Sequence, residues 1–123
     1  MERLNLGELI DLLEKQLKKQ HEDNIVVFDF GDLSPTKCIS YHGYYEDLAI
    51  EFDQETSPKV EEFLTELQSA VGKTFEGYKG GNYRMTRKSR VWVANYKHCS
   101  GTVITGIEDC NYQTILRTKW VDE

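Results

Sequence analysis

Apolar residues recur at helical spacing in two stretches of the chain. The first stretch follows Asn5, a residue type that caps helices, and predicts an amphipathic helix over residues 6–20. The second begins at Pro58, which favours the first position of a helix, and ends at Gly72. The apolar positions of the two stretches are Leu6, Leu9, Ile10, Leu13 and Leu17, and Val60, Phe63, Leu64, Leu67 and Val71.

Outside these helices, the chain carries runs of β-branched and aromatic residues separated by turn clusters, which predict strands. Because the connections are short, the order predicts an α+β fold with a mainly antiparallel sheet and two amphipathic helices. We expect a single domain over residues 1–123, a usual domain length. The predicted strands cover residues 25–30, 38–45, 48–52, 83–86, 90–96, 102–107 and 112–119.

The longest uninterrupted apolar run is Ile25–Phe28, so we expect no transmembrane helix and no secretion signal. The three cysteines, Cys38, Cys99 and Cys110, are an odd number and lie far apart in the sequence. This pattern favours reduced thiols over a disulfide scaffold. We therefore predict a cytoplasmic protein that does not associate with membranes.

The charge is unevenly distributed along the chain. The net charge of −6 arises from −10 in residues 1–72, +6 in residues 73–99 and −2 in residues 100–123. An acidic protein repels a polyanion, so the composition argues against general nucleic-acid binding. One cationic segment in an acidic chain favours either a small anionic ligand or an acidic patch on a protein partner.

The segment Gly77–Arg90 is the predicted ligand-binding site, because it combines glycines, tyrosines and arginines. Paired glycines permit positive φ angles, which let backbone N–H groups surround an anion. Arginines donate bidentate hydrogen bonds to phosphate or carboxylate, and tyrosines stack on bases. The alternative interpretation is a glycine-bearing loop followed by a strand whose arginines face water. The candidate residues are Tyr78, Lys79, Gly80, Gly81, Asn82, Tyr83, Arg84, Arg87 and Arg90.

A second turn, Ser100-Gly101-Thr102, offers hydroxyl groups that would complete a phosphate pocket. The same three residues are also favourable in an ordinary hairpin turn, and that interpretation stays open. Exchange of both Arg84 and Arg90 for glutamate is expected to abolish ligand binding without unfolding of the protein, because both residues lie near turns.

No pattern in the chain indicates catalysis, a metal or a cofactor. Asp29 with Asp32, and Glu46 with Asp47, are close carboxylate pairs, but turns favour aspartate in any case. Paired Cys-x-x-Cys spacing for zinc is missing, so small buried thiols are the expected role of the cysteines. A nucleophilic pair of Cys99 or Cys38 with His42 is the other catalytic candidate, but a thiol on a strand lacks activation by a helix N-terminus. We predict a protein that is not an enzyme.

Two stretches resemble a group of small proteins carried by bacteriophages and prophages. The first is Gly43-Tyr44-Tyr45-Glu46-Asp47-Leu48-Ala49. The second combines Gly77-Tyr78-Lys79-Gly80-Gly81-Asn82-Tyr83 through Met85 with Val91-Trp92-Val93-Ala94 and Ser100-Gly101-Thr102. The resemblance implies an accessory protein that acts in the host cytoplasm against host defence. Some phage proteins of this size are oligomeric sponges for cyclic nucleotide signals, and others inhibit defence nucleases.

Three functions compete at this point. The first is a non-enzymatic binding protein that sequesters a nucleotide-like anion, with a homo-oligomer interface contributing to the site. The second is an inhibitor whose acidic first half covers the basic groove of a host nuclease. The third is a small hydrolase that acts on a nucleotide. Trp92 and Trp120 are expected to anchor either the core or a contact between subunits.

Overall fold

A computed structural model describes residues 3–21, 23–30, 33–41, 44–76, 80–94, 101–110 and 112–121. The two predicted helices and the α+β class are confirmed. The elements are α1 (Leu6–Lys18), β1 (Ile25–Phe28), β2 (Ser34–Tyr41), β3 (Tyr44–Asp53), α2 (Val60–Ala70), β4 (Thr74–Glu76), β5 (Asn82–Arg84), β6 (Val91–Val93), β7 (Gly101–Cys110) and β8 (Gln113–Val121).

Six strands form one mixed sheet in the order β1-β8-β7-β6-β3-β2. The neighbours β2 and β3, β6 and β7, and β7 and β8 are antiparallel, whereas β1 pairs with β8, and β3 with β6, in parallel. The parallel pair of β3 and β6 is possible because α2 and a separate β4–β5 hairpin connect the two strands. The sheet is therefore mixed, and not antiparallel throughout.

The sheet curls around the two helices. Its first and last strands, β1 and β2, contact each other, and Phe28 of β1 donates its backbone N–H to the carbonyl of Leu33 (2.9 Å). Helix α1 packs on α2, and the apolar side chains of both helices join the inward-facing strand residues in one core. The β4–β5 hairpin lies against β2 and β3, and Met85 anchors its end in this core.

Helix α1 begins where the sequence predicts. The side chain of Asn5 accepts the backbone N–H of Glu8 (2.8 Å), and the Glu8 carboxylate accepts the backbone N–H of Asn5 (2.9 Å). This reciprocal capping satisfies two backbone donors that a helix start otherwise leaves open. Lys15 and Lys18 lie in the last turn, where positive charge complements the helix dipole.

Helix α2 begins at Val60, two residues later than the predicted start at Pro58. The carbonyl of Pro58 accepts the backbone N–H of Val26 (2.9 Å), and Val60 donates its N–H to the carbonyl of Asn24 (3.0 Å). These bonds hold residues 58 and 59 extended beside β1, so the helix starts only at Val60. The predicted stop is confirmed, because α2 ends at Ala70 and Gly72 has a φ of +80°.

Two strand predictions need correction. The predicted strand 38–45 is divided between β2 and β3, and Tyr41 pairs directly with Tyr44. Strand β4 was not predicted, because three residues with an exposed threonine and glutamate carry almost no strand pattern.

Neither described helix is long and apolar enough to cross a membrane.

The other face of the sheet carries a second, smaller apolar cluster of Tyr41, Ala49, Trp92, Ala94 and Val103. Trp92 stands beside Ala49 on β3 and Val103 on β7 in the strand register. Its side chain is fully buried, so the expectation that Trp92 anchors the core is confirmed. Trp120 differs, since 52% of its surface is exposed.

Candidate functional site

The glycine bend lies at the end of the β4–β5 hairpin. Gly80 and Gly81 have φ angles of +91° and +86°, so the predicted positive φ values are confirmed. A Cβ at Gly80 would meet nothing within 4 Å, whereas one at Gly81 would lie 3.3 Å from the Tyr83 hydroxyl oxygen. The bend therefore borders open space on one side and Tyr83 on the other. Tyr78 and Lys79 lie outside the described residues.

Arg84 stands on the exposed face of this hairpin. Asn82 and Arg84 are two residues apart on β5, so their side chains share that face, opposite Glu76 and Thr74. Both residues are exposed. The Arg84 guanidinium extends to the end of α2, where Nη2 would lie 3.7 Å from a Cβ at Gly72. Within the described part of the chain, Arg84 forms no ion pair or hydrogen bond through its side chain.

Arg87 is held by helix α1. Its Nη2 atom donates to a carboxylate oxygen of Asp11 (2.7 Å) and to the carbonyl of Gly7 (3.2 Å). In return, Gly7 donates its backbone N–H to the Arg87 carbonyl (2.7 Å). The backbones approach so closely that a Cβ at Gly7 would lie 2.9 Å from the Cβ of Arg87. Arg87 thus fastens its turn to the first turns of α1.

Arg90 is held by Asp47 of β3. Its Nη2 atom lies 2.9 Å from Asp47 Oδ2, and the same oxygen accepts the indole N–H of Trp92 (2.8 Å). Asp47 is only 3% exposed. Exchanging Arg90 for glutamate would place a second carboxylate beside this buried one, so the expectation that Arg90 tolerates glutamate does not fit its surroundings.

Gly101 has a packing role. A Cβ there would lie 2.5 Å from the Tyr41 hydroxyl oxygen and 2.9 Å from a ring carbon of Trp92. The absence of a side chain is therefore required by the aromatic pair beneath it. Thr102 is half-buried and stands opposite Trp120 in the register of β7 and β8. Ser100 lies outside the described residues.

The predicted site residues are thus distributed over several elements. Gly80, Gly81, Asn82, Tyr83 and Arg84 lie together on the β4–β5 hairpin. By contrast, Arg87 binds α1, Arg90 binds β3, and Gly101 and Thr102 begin β7. The contacts of the described residues therefore do not gather the three arginines at one place.

Sequence reasoning missed the aromatic–ionic cluster around Trp92. The Trp92 ring stacks on the Tyr41 ring at 4.7 Å between centroids and 6° between planes. The guanidinium carbon of Arg3 lies 4.2 Å from the Trp92 ring centroid. In the sequence, Asp47 is notable only as one of a close carboxylate pair. Its position directly before the apolar run of β3 is the signal that could have indicated a buried, paired carboxylate.

The two described cysteines differ in burial, since Cys38 is buried and Cys110 is exposed. Burial and the neighbouring Glu66 carboxylate raise the pKa of the Cys38 thiol far above its ordinary value, so this thiol stays protonated. Cys110 is exposed, which corrects the expectation that the thiols are buried. Within the described residues, no three His, Cys, Asp or Glu side chains are grouped as metal ligands. His42, His98 and Cys99 lie outside them.

Among the described residues, three grooves lie away from the hairpin. One of about 430 Å³ runs between the helices, and Leu17, Leu64, Glu14, Glu61 and Lys18 are among its lining residues. The other two share Thr56 and Ser57, in the connection from β3 to α2.

Asp53 organises that connection. Its carboxylate accepts the backbone N–H groups of Thr56 (2.7 Å) and Glu55 (3.0 Å). These hydrogen bonds, chiefly the one from Thr56, hold the pKa of Asp53 below its ordinary value.

No protein-family model, curated protein or solved structure matches this chain. The geometry of the described residues is therefore the basis for proposing a function.

Proposed function

We propose that the protein is a non-enzymatic binding protein that sequesters a small anionic, nucleotide-like molecule, and that Arg84 on the β4–β5 hairpin holds the anion. The observation that supports this proposal is the contrast among the three arginines of the basic segment. Arg87 and Arg90 each have a carboxylate partner, whereas Arg84 is exposed and has none among the described residues. A guanidinium without a partner is available for a phosphate.

The composition of the hairpin segment, rather than the immediate neighbours of Arg84, favours an anion over a cation. Lys73 lies at the base of the hairpin, with its Nζ atom 5.1 Å from the Phe75 ring centroid. Glu76 is the only acidic residue between positions 73 and 99. The open side of the Gly80 bend leaves room for a ligand to approach the backbone. These features place positive charge and accessible backbone on one hairpin.

Calorimetry against cyclic mono-, di- and trinucleotides and ADP-ribose derivatives tests the proposal. We expect one ligand class to bind, and Arg84→Glu to weaken binding roughly 10- to 100-fold, the equivalent of one bidentate charged contact. Lys119→Glu is the matched control, because it makes the same charge change at an exposed position on β8. Recovery of intact ligand after incubation distinguishes sequestration from hydrolysis. Absence of heat with every ligand, or unaltered binding by Arg84→Glu, contradicts the proposal.

Inhibition of a host nuclease is the second candidate function, and the groove between α1 and α2 favours it. Two carboxylates, Glu14 and Glu61, and one ammonium group, Lys18, line this groove beside the apolar Leu17 and Leu64. The net negative charge and the apolar part suit a basic and partly apolar protein surface. For this function, the expected result is a nuclease captured stoichiometrically, released by salt, and still inhibited by the Arg84→Glu variant. Loss of inhibition in that variant favours the anion-binding function.

We further propose that the protein forms a homo-oligomer through Trp120. An indole that is 52% exposed, at the end of β8 next to Thr102, is unusual on a surface that meets only water. Tryptophan is among the residue types enriched at protein interfaces.

A further inference from the structure

One of the three grooves is lined by uncharged residues. This groove, here called the neutral groove, lies where the connection from β3 to α2 meets β1 and the starts of β2 and β8. Although 29% of the residues of the chain are charged, none of those that the structure places along this groove is. By contrast, Glu14 lines the groove between the helices, and Glu62 lines the third groove. An ion in the neutral groove would lose part of its water without gaining an opposite charge, so the lining favours an uncharged ligand.

The apolar part of the neutral groove comes from β1 and from the turn before β8. Val26 and Phe28 point into the core, so Ile25 and Val27 share the other face of β1, where they line the groove and are half-buried. Tyr112 also lines the groove and is 86% exposed, while its carbonyl accepts the backbone N–H of Ile25 (3.0 Å). An aromatic ring and two aliphatic side chains therefore offer apolar contact to a ring-shaped ligand.

The polar part of the neutral groove has unused hydrogen-bonding groups. Ser34 is only 4% exposed, and within the described part of the chain its hydroxyl has no hydrogen-bond partner. A buried hydroxyl is normally bonded to protein, water or a ligand. The exposed side chains of Gln54, Ser57 and Gln113 likewise form no hydrogen bond among the described residues. Amides and hydroxyls of this kind both donate and accept hydrogen bonds.

The wall of the neutral groove is fixed before any ligand arrives. At one end of residues 54–57, the Asp53 carboxylate accepts the backbone N–H (2.7 Å) and the hydroxyl (3.1 Å) of Thr56. At the other end, the Pro58 carbonyl accepts the backbone N–H of Val26 (2.9 Å). A ligand therefore binds with little cost for ordering the protein. The groove volume of about 430 Å³ also lies in the range of small-molecule sites.

We propose that the neutral groove binds one ring of an uncharged saccharide. A sugar ring presents C–H groups on its faces and hydroxyl groups around its edge. The Tyr112 ring and the β1 side chains match the apolar faces, and the glutamine amides and serine hydroxyls match the edge. A nucleoside is the competing uncharged ligand. Bases stack on aromatic groups, and Tyr112 is the only aromatic residue that the structure places along this groove.

The test titrates the full chain with the methyl glycosides of glucose, galactose, mannose and N-acetylglucosamine, and separately with adenosine and uridine. The readout is the side-chain amide resonance of Gln54, assigned with a Gln54→Ala variant. We expect at least one glycoside to shift this resonance saturably. Its Kd should be on the order of 0.1–10 mM, because a ligand with so few atoms gains little binding free energy.

Two variants then locate the site. Tyr112→Ala and Gln113→Ala should each weaken glycoside binding on the order of tenfold, because they remove the ring contact and an amide, and both residues are exposed, so the fold is retained. Gln68→Ala is the matched control, since Gln68 is exposed and lines the groove between the helices. It should leave glycoside binding unchanged.

Three results overturn the proposal. They are the absence of a saturable shift with all four glycosides, glycoside binding that neither Tyr112→Ala nor Gln113→Ala weakens, and tighter binding of either nucleoside than of every glycoside. None of these readouts involves Arg84, which extends to the far end of α2, so the anion-binding proposal is judged separately.

Discussion

Arg84, Arg87 and Arg90 show how differently one residue type is used within seven positions. Each of the latter two neutralises a carboxylate far away in the sequence, and Asp47, the partner of Arg90, is almost fully buried. A carboxylate removed from water is stable only with a charged or hydrogen-bonding partner. Arg90 therefore stabilises the fold, whereas Arg84 has no carboxylate partner among the described residues.

We predict that Arg90→Met lowers the free energy of unfolding by about 2–4 kcal/mol, because the buried Asp47 loses its guanidinium partner and retains the Trp92 indole N–H as a donor. Arg84→Met, the same exchange six residues earlier, is expected to change it by less than about 0.5 kcal/mol. Urea unfolding followed by circular dichroism measures both. Adding Asp47→Asn to Arg90→Met should restore part of the loss, and equal stabilities of the two single variants would contradict this role of Arg90.

The thiols give a second prediction at the residue scale. At pH 8, iodoacetamide should modify the exposed Cys110 and leave Cys38 intact until the protein unfolds, as measured by mass spectrometry of peptides.

Above the ordinary thiol pKa of 9.0, an unfolded chain releases the Cys38 proton while the folded chain retains it, so stability falls as pH rises. The Cys38→Ala variant should show a shallower fall of Tm between pH 8 and pH 10. Identical slopes would show that Cys38 does not contribute.

At the scale of elements, β7 contains two glycines in opposite situations. Gly101 lies against the Tyr41–Trp92 pair, with no room for a Cβ, whereas a Cβ at Gly106 would meet nothing within 4 Å. The same residue type on the same strand is thus required at one position and replaceable at the other.

We predict that Gly101→Ala lowers the free energy of unfolding by about 1–3 kcal/mol, because the methyl group displaces the aromatic pair. Gly106→Ala should be neutral or slightly stabilising, since it fills open space on the same strand. Thermal unfolding measures the difference, and the near-ultraviolet circular dichroism of the aromatic pair should change only in Gly101→Ala. A stable Gly101→Ala protein with unchanged dichroism would argue against this packing role.

Local features of the elements are predictable from the sequence, and distant partnerships are not. The Asn5 cap and the Gly72 stop depend on residues within one helix turn, so pattern alone identifies them. The start of α2 depends on bonds from residues 58–60 to the chain around β1, which lies more than thirty positions earlier. The same limit affects the candidate site, because Arg87 and Asp11 are 76 positions apart.

At the scale of the whole molecule, large apolar surface is exposed at both ends of β8. Tyr112 is 86% exposed in the turn before the strand, and Trp120 is 52% exposed near its end. An exposed tyrosine keeps its hydroxyl group hydrated, whereas an exposed indole leaves a larger apolar area in contact with water, which is unfavourable. The end of β8 with Trp120 is therefore the better candidate for contact between copies.

We predict that the protein is oligomeric in solution and that Trp120→Ser shifts it towards monomer, because each buried indole contributes about 2 kcal/mol to association. Light scattering coupled to size-exclusion chromatography measures the mass. Tyr112→Ser is the matched control at the opposite end of β8 and should leave the mass unchanged. A monomeric parent protein at all concentrations would remove the basis for a shared site.

The parallel pairing of β1 with β8 has a consequence for synthesis of the chain. Thr114 and Leu116, the hydrogen-bonded neighbours of Val26 and Phe28, are translated some ninety residues after them. While residues 113–121 are still inside the ribosomal tunnel, the nascent β1 lacks the strand it finally joins. Folding of the sheet is therefore completed only after residues 113–121 have left the tunnel, and until then the nascent chain exposes the apolar β1, a segment that chaperones are suited to shield.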